Sequence, residues 1–296
     1  MLNTSVCLSS GILSVISGDV SKSRIKVNTA ACVRLPQGSA INGLITDEPA
    51  LHTILVELRK AGKLPTRNAR LVVDSSSILT KLMEVPVLPQ KHLLDFTKSV
   101  FVEVADTYEE LLYDYSVVDN KHILCSAIQK SLVESYIDLF AAAGIKLAAI
   151  DISLNCVIKL AYYLQELQNK TYVLLIIDGQ NIFAILFING KYAFSNRSHL
   201  LSEQNTEKWQ TEVLGIVSSL RQFHSSQKNE YEISDVYFCG LQEDENNFCC
   251  NISNYMDINA QVLPENKAVI INKNLATAGF LLSDYIFAIG NLIERK

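Results

Sequence analysis

Three short stretches of this chain have residue types that could approach a phosphate. Ser9-Ser10-Gly11 separates two strand-like runs, and a turn of such small residues lets backbone N–H groups come close to an anion. Asp178-Gly179 lies between two apolar runs, where an Asp-Gly pair is also a standard hairpin turn. Gly240 follows an apolar run and, lacking a Cβ, permits a close backbone approach. Ser75-Ser76-Ser77 reads as a polar connecting loop. His52, His92, His122, His199 and His224 have neither metal-ligand nor triad spacing and read as surface residues. The seven cysteines (7, 32, 125, 156, 239, 249 and 250) are odd in number and form no C-x-x-C, which argues against zinc and thioredoxin-like chemistry. Free thiols in apolar runs fit a reducing cytoplasm. No catalytic residue and no metal ligand set is assigned.

The elements that must position these stretches are those of a globular chain. Its 296 residues are 49% hydrophobic and 19% charged, enough for two lobes with substantial cores. A formal charge of -5 without a basic run argues against nucleic acid and against direct attraction to anionic lipid. The N-terminus lacks the charged and apolar segments of a signal peptide. The most membrane-like run, Tyr172 to Ile188, is interrupted at its centre by Asp178-Gly179-Gln180-Asn181 and reads as two buried strands.

Periodicity orders the chain. Ser5–Leu8, Ile12–Ser17 and Arg24–Arg34 read as a strand meander. Thr46-Asp47-Glu48 opens a helix with Leu51, Ile54, Leu55 and Leu58 inward and Gly62 as its stop. Ala69–Asp74 is a further strand. Ile78 to Asp151 then alternates strand, helix, strand, strand, helix, strand, and reads as one α+β module. In it, one helix after Pro89 carries Leu93, Phe96, Val100, Phe101 and Val104, and Asp119-Asn120-Lys121 turns a hairpin. A second helix is predicted to start on a Ser131/Glu134 capping box, with Leu132, Tyr136, Leu139, Phe140 and Ala143 inward. A helix over Ile150–Leu164 follows. From Thr171 a second lobe is expected, with hairpins at Asp178-Gly179 and Asn189-Gly190. It continues with an amphipathic helix carrying Trp209, Val213, Ile216, Val217, Leu220 and Phe223, strands at Ile233–Cys239 and Ile258–Leu263, a polar loop at Asp244–Asn247, and a closing helix over Asn274–Leu282.

The pieces "VPVLP", "YDYSVV" and "SYIDLFAAAGIKLAAID" resemble PilM, the cytoplasmic actin-like protein of type IV pilus machines. The likeness continues through "LLIIDGQNIFAILFINGKYAFSNR", "EVLGIVSSLRQFHSSQ" and "NLATAGFLLSD". It implies an α/β, actin-like (ribonuclease H-like) two-lobe fold, with an N-terminal lobe over 1–165 and a C-terminal lobe over 166–296. It also implies an inserted subdomain of the 1C type at 78–151, as in FtsA, and the loss of most of subdomain 2B, because only Ser198 to Gln210 follows Arg197.

By the same resemblance, Cys7 stands where the family has a metal-water acid, Ser14 where it has a lysine, and Ile182-Phe183 near its threonines. Ser9, Ser10, Gly11, Asp178, Gly179 and Gly240 are therefore vestigial cofactor-binding candidates, and no cofactor is expected. The partner that the resemblance implies is the short cytoplasmic tail of a PilN-like inner-membrane protein. Its expected groove involves Ser75 to Val87 and the helix after Pro89. Other pilus platform proteins and further copies of the chain are additional candidate partners. The expectation is a cytoplasmic scaffold held to the membrane through a partner. The alternatives are a divergent Mg-ATP-binding ATPase and a polymerising protein akin to FtsA.

Overall fold

Alternating apolar residues and small-residue turns build the opening meander as expected. In the computed structural model, which describes residues 3–85, 88–105, 110–204, 206–227, 230–241 and 246–294, β1 (Asn3–Leu8), β2 (Ile12–Val20) and β3 (Ile25–Arg34) are its strands. A two-strand hairpin, β4 (Ala40–Ile41) and β5 (Leu44–Ile45), turns on Asn42 and Gly43 at positive φ. Asp47 then caps α1 (Glu48–Lys60) by accepting from the Ala50 N–H at 3.1 Å, and Leu51, Leu55 and Leu58 are buried. β6 (Arg67–Val73) returns parallel to β1.

The segment after β6 departs from its predicted form in four ways. Its strands β7 (Leu79–Glu84), β8 (Leu111–Val117) and β9 (His122–Gln129) make an antiparallel sheet in the order β7-β9-β8. The helix after Pro89 is not continuous. A 3₁₀ turn (Gln90–His92) leads into α2 (Leu93–Val100), and the chain breaks at Phe101 before α3 (Val102–Ala105). The break lets Phe101 bury against Leu93, Ile123, Cys125 and Ala127, while Val104 stays exposed. Thr97, on the same buried face, bonds back to the Leu93 carbonyl at 2.9 Å.

Secondly, the Ser131/Glu134 capping box does not form. α4 (Lys130–Ala142) starts directly from β9 without a side-chain cap, and the Lys130 N–H is satisfied by the Glu110 carbonyl at 2.9 Å. Ser131 is already inside the helix, and Glu134 pairs with Lys130. Thirdly, α4 and β10 (Lys146–Ile152) do not share the core of the inserted strands. Tyr136, Leu139 and Phe140 pack with Leu51, Leu55, Leu71 and Val73, and β10 pairs parallel with β6. The separate small core thus belongs to 79–129, not to the whole of 78–151. Fourthly, β10 runs on to Ile152, so α5 (Ser153–Ala161) is shorter than the predicted helix over Ile150–Leu164. Pro86 and Val87 lie outside the described residues.

Contacts divide the chain into two units. One comprises Met1–Ser21, Lys26–Lys159 and Phe287–Lys296, and the other Lys22–Ile25 and Leu160–Ile286. In the first, the main sheet runs β10-β6-β1-β2-β3. The sequence expectation kept 166–296 together, but the end of the chain packs with the first unit. A Cβ on Gly290 would overlap the Cys156 carbonyl, and Asn291 donates to Ser5 Oγ at 3.1 Å.

The second unit is a sheet in the order β13-β12-β11-β14-β15, with β11 (Tyr172–Asp178), β12 (Asn181–Ile188), β13 (Lys191–His199), β14 (Asp235–Cys239) and β15 (Asn259–Val262). α6 (Glu207–Ser226) and α7 (Asn246–Met256) complete its core, in which Trp209 is fully buried against Phe248. Phe223, expected inward, is 40% exposed and stacks on Phe194. β13 and α6 are joined by residues 200–206 alone, so no subdomain intervenes there.

β16 (Val269–Ile271) and α8 (Lys273–Thr277) follow. The closing helix predicted to reach Leu282 ends at Thr277, and Gly279 at φ 75° turns the chain toward α9 (Ile286–Leu292). Of the predicted polar loop at Asp244–Asn247, residues 244–245 lie outside the described residues.

Candidate functional site

The candidate phosphate turns are tied up in their own hairpins. In the β1–β2 turn, the Ser9 N–H and Oγ both donate to the Ile12 carbonyl, at 2.9 and 3.1 Å. The Leu35 N–H holds the Gly11 carbonyl at 2.9 Å. Cys7 and Ser14, which stand in place of an acid and a lysine, are register partners across this hairpin, and both are buried. The Ser9-Ser10-Gly11 turn with Cys7 and Ser14 thus presents small neutral groups, and the nearest charge across the sheet is Asp74, which follows β6.

In the second unit, Asp178 and Asn181 close the β11–β12 turn around Gly179 at φ 61°. The turn is held from outside, with the Leu200 N–H bonded to the Gln180 carbonyl at 2.7 Å. Ile182 and Phe183 are buried, and the Arg197 guanidinium lies 3.7 Å over the Phe183 ring in a cation–π contact.

Gly240 adopts φ 79°, and a Cβ there would overlap the Ile177 carbonyl oxygen. β11 and β14 run parallel, so Gly240 and the Asp178-Gly179 turn share the carboxyl end of the second sheet, where α/β folds place ligands. Ser9, Ser10 and Gly11 belong to the other unit.

The expected groove segment is also internally bonded. Asn42 bonds to Ser76 through both its amide groups, at 2.7 and 2.8 Å, and Ser75 Oγ bonds to Ser77 Oγ at 2.8 Å. Leu93 and Thr97 of α2 face β9 inside the insert. No group of three His, Cys, Asp or Glu suited to a metal occurs among the described residues. His224, read from sequence as a surface residue, is buried and bonded to the Tyr231 carbonyl. Cys32 and Cys250 are exposed, whereas the other five thiols are buried. Burial pushes Cys125 and Cys239 up, which keeps them protonated and unreactive.

Two charged networks escaped the sequence reading. Asp151, Asn155 and Lys159 recur every fourth residue, the one signal that could have revealed the first. Lys159 Nζ meets the Asp151 carboxylate at 2.8 Å, and Asn155 Nδ2 donates to both of its oxygens. The second gathers Lys170, Ser234, Tyr237 and Asn259 around Asp235, at distances of 2.6 to 3.1 Å. It lies at the amino end of β14, the opposite end from Gly240 and the Asp178-Gly179 turn.

Burial alone pushes the Asp235 carboxyl up, but the Ser234, Lys170 and Asn259 donors together hold it below the usual carboxylate value of 3.8. A depressed folded-state pKa contributes stability that is full above the unfolded-state value and is lost as pH falls through the folded one. The destabilisation caused by Asp235→Asn is therefore expected to be largest near neutrality and to shrink below about pH 4. Urea unfolding across that pH range checks this, and a pH-independent difference would refute it.

A mixed parallel and antiparallel sheet with a short insert after β6, and a second sheet carrying the β11–β12–β13 meander, define an actin-like ATPase fold. No protein-family model and no curated protein matches the sequence. Solved structures do. The chain is similar to PilM in a PilM–PilN type IV pilus biogenesis complex, at 13% identity and a TM-score of 0.77, covering 98% of this chain and 97% of that one. A Bacteroides thetaiotaomicron protein with an actin-like ATPase fold and unknown function matches at 9% identity and a TM-score of 0.59, covering 99% and 96%. The ethanolamine utilization protein EutJ from Carboxydothermus hydrogenoformans matches at 9% identity and a TM-score of 0.52, covering 99% and 89%.

Proposed function

We propose that this protein is a PilM-like scaffold of a type IV pilus or related secretion platform. It works in the cytoplasm, bound to the cytoplasmic tail of a PilN-like inner-membrane protein, and does not hydrolyse ATP. The likeness to PilM over nearly the whole chain carries the first part of this reading. The second part rests on the neutral Cys7–Ser14 pair, on Ser9 donors spent inside their own turn, and on Arg197 covering Phe183. In-line attack on a γ-phosphate depends on metal ions and cationic groups that neutralise developing charge; the Ser9-Ser10-Gly11 turn has no charged side chain, and the Arg197 guanidinium beside the second turn lies on the Phe183 ring. Among the described residues no helix is long and apolar enough to cross a membrane, which suits attachment through a partner.

Melting with and without Mg-ATP tests the ATP part. A ligand at 100 times its dissociation constant adds about 2.7 kcal/mol. The expected result is no shift at millimolar Mg-ATP. A Mg-dependent shift that disappears in Asp178→Ala would instead establish a divergent nucleotide site. A shift produced by the tail peptide of a PilN-like protein is the matching positive result for the scaffold.

A further inference from the structure

The outer edge of β10 and the exposed side of α4 frame a groove of about 520 Å³ that lies wholly within the first unit. β10 ends its sheet, so the backbone groups along one side have no strand partner among the described residues. Edge strands are ordinarily blunted by charge, proline or a covering element. Here the charge is confined to Lys146 at one end and the irregularity to Ala148, an extra residue without a register partner on β6, while the strand reads on as Leu147-Ala148-Ala149-Ile150 with no covering element paired to it among the described residues. The facing wall is apolar too, with Ile137 44% exposed and Ala141 beside it.

One end of the groove is cationic. Arg67 and Lys146 line it, and the Arg59 guanidinium sits against Gly144, where φ is 74° and a Cβ would overlap it. None of the three forms an ion pair among the described residues, whereas the neighbouring Arg70 and Lys130 both do. Three uncompensated cations beside an apolar strand edge are complementary to an extended chain with apolar side chains and an acidic residue.

We infer that the groove binds an extended peptide segment of a partner protein, added to β10 as a further strand. Its apolar side chains lie against Ile137 and Ala141, and a carboxylate meets Arg59, Arg67 and Lys146. Backbone bonds along the edge give affinity, and the pocket and the cations give selectivity. Only the partner's identity rests on the scaffold reading; the inference places its tail on β10 rather than on the β7–α2 segment.

A random-peptide display library selected against the full chain tests the inference and needs no identified partner. The enriched peptides should combine alternating apolar residues with an Asp or Glu. Their affinity should fall about tenfold or more in Ala141→Arg, which fills the groove from an exposed helical position, and in Lys146→Glu. Both substitutions are at the surface, and unchanged melting would exclude misfolding. Hydrogen exchange should slow in β10 when peptide binds. Failure to enrich any peptide, undiminished binding to both variants, or a dimer joined through β10 in solution would overturn the inference. A PilN-like tail that binds both variants normally would refute this groove yet leave the scaffold reading intact. Selected peptides that occupy the groove while no such tail binds would do the reverse.

Discussion

Lys159→Met is expected to destabilise the first unit by about 3–5 kcal/mol, the cost of leaving one partner of a buried ion pair alone. The side chains of Lys159 and Asp151 are 12% and 6% exposed and 2.8 Å apart, so water cannot take over the abandoned carboxylate. Lys159 Nζ also donates to the Ile293 carbonyl at 2.8 Å, so the same substitution removes a clamp on the end of α9. Asn155 would remain on the carboxylate, but a neutral donor does not replace the ammonium. Adding Asp151→Asn to Lys159→Met should restore much of the loss, because the charge itself is then gone. Urea denaturation followed by circular dichroism measures all three variants. Additive losses in the double variant would show that the pair is not coupled.

This network also shows what the sequence made legible. Strand and helix positions follow from apolar spacing, and the meander, α1, α6 and both hairpins of the second sheet appear where spacing put them. The start of α4 differs from its local signal because Ser131 and Glu134 satisfy a capping rule, whereas the entry from β9 is set by the backbone bond from Lys130 to Glu110. The break at Phe101 is hidden for a similar reason. A helical period continues through it, but the side chain is drawn into the insert's core. The partnership of β10 with β6 pairs segments far apart in sequence, with no local signature, so spacing alone groups α4 and β10 with the insert. The site residues themselves do lie in turns, as their types suggest. What their hydrogen bonds are already committed to is visible only in the structure.

Gly240 and Gly179 make the second prediction, because both are glycines at positive φ at one end of one sheet, in different surroundings. A methyl group on Gly179 would project into open space beyond its own chain neighbours, so Gly179→Ala meets only the left-handed backbone penalty of about 1–2 kcal/mol. At Gly240 the same penalty is joined by overlap with the Ile177 carbonyl, a backbone atom fixed in β11 that has no rotamer to escape to. Overpacking of that kind adds about 1–3 kcal/mol, so Gly240→Ala should cost about 2–5 kcal/mol. Trp209, the single tryptophan of the chain, is fully buried in this unit, and its fluorescence follows the urea transition directly. Equal losses in the two variants would mean that the β14 end can yield, which would leave Gly240 free to serve a ligand. A much larger loss at Gly240 means that the packing of β14 against β11 requires this glycine whether or not a nucleotide binds. Gly240, one of the vestigial cofactor-binding candidates, would then carry no information about nucleotide at all.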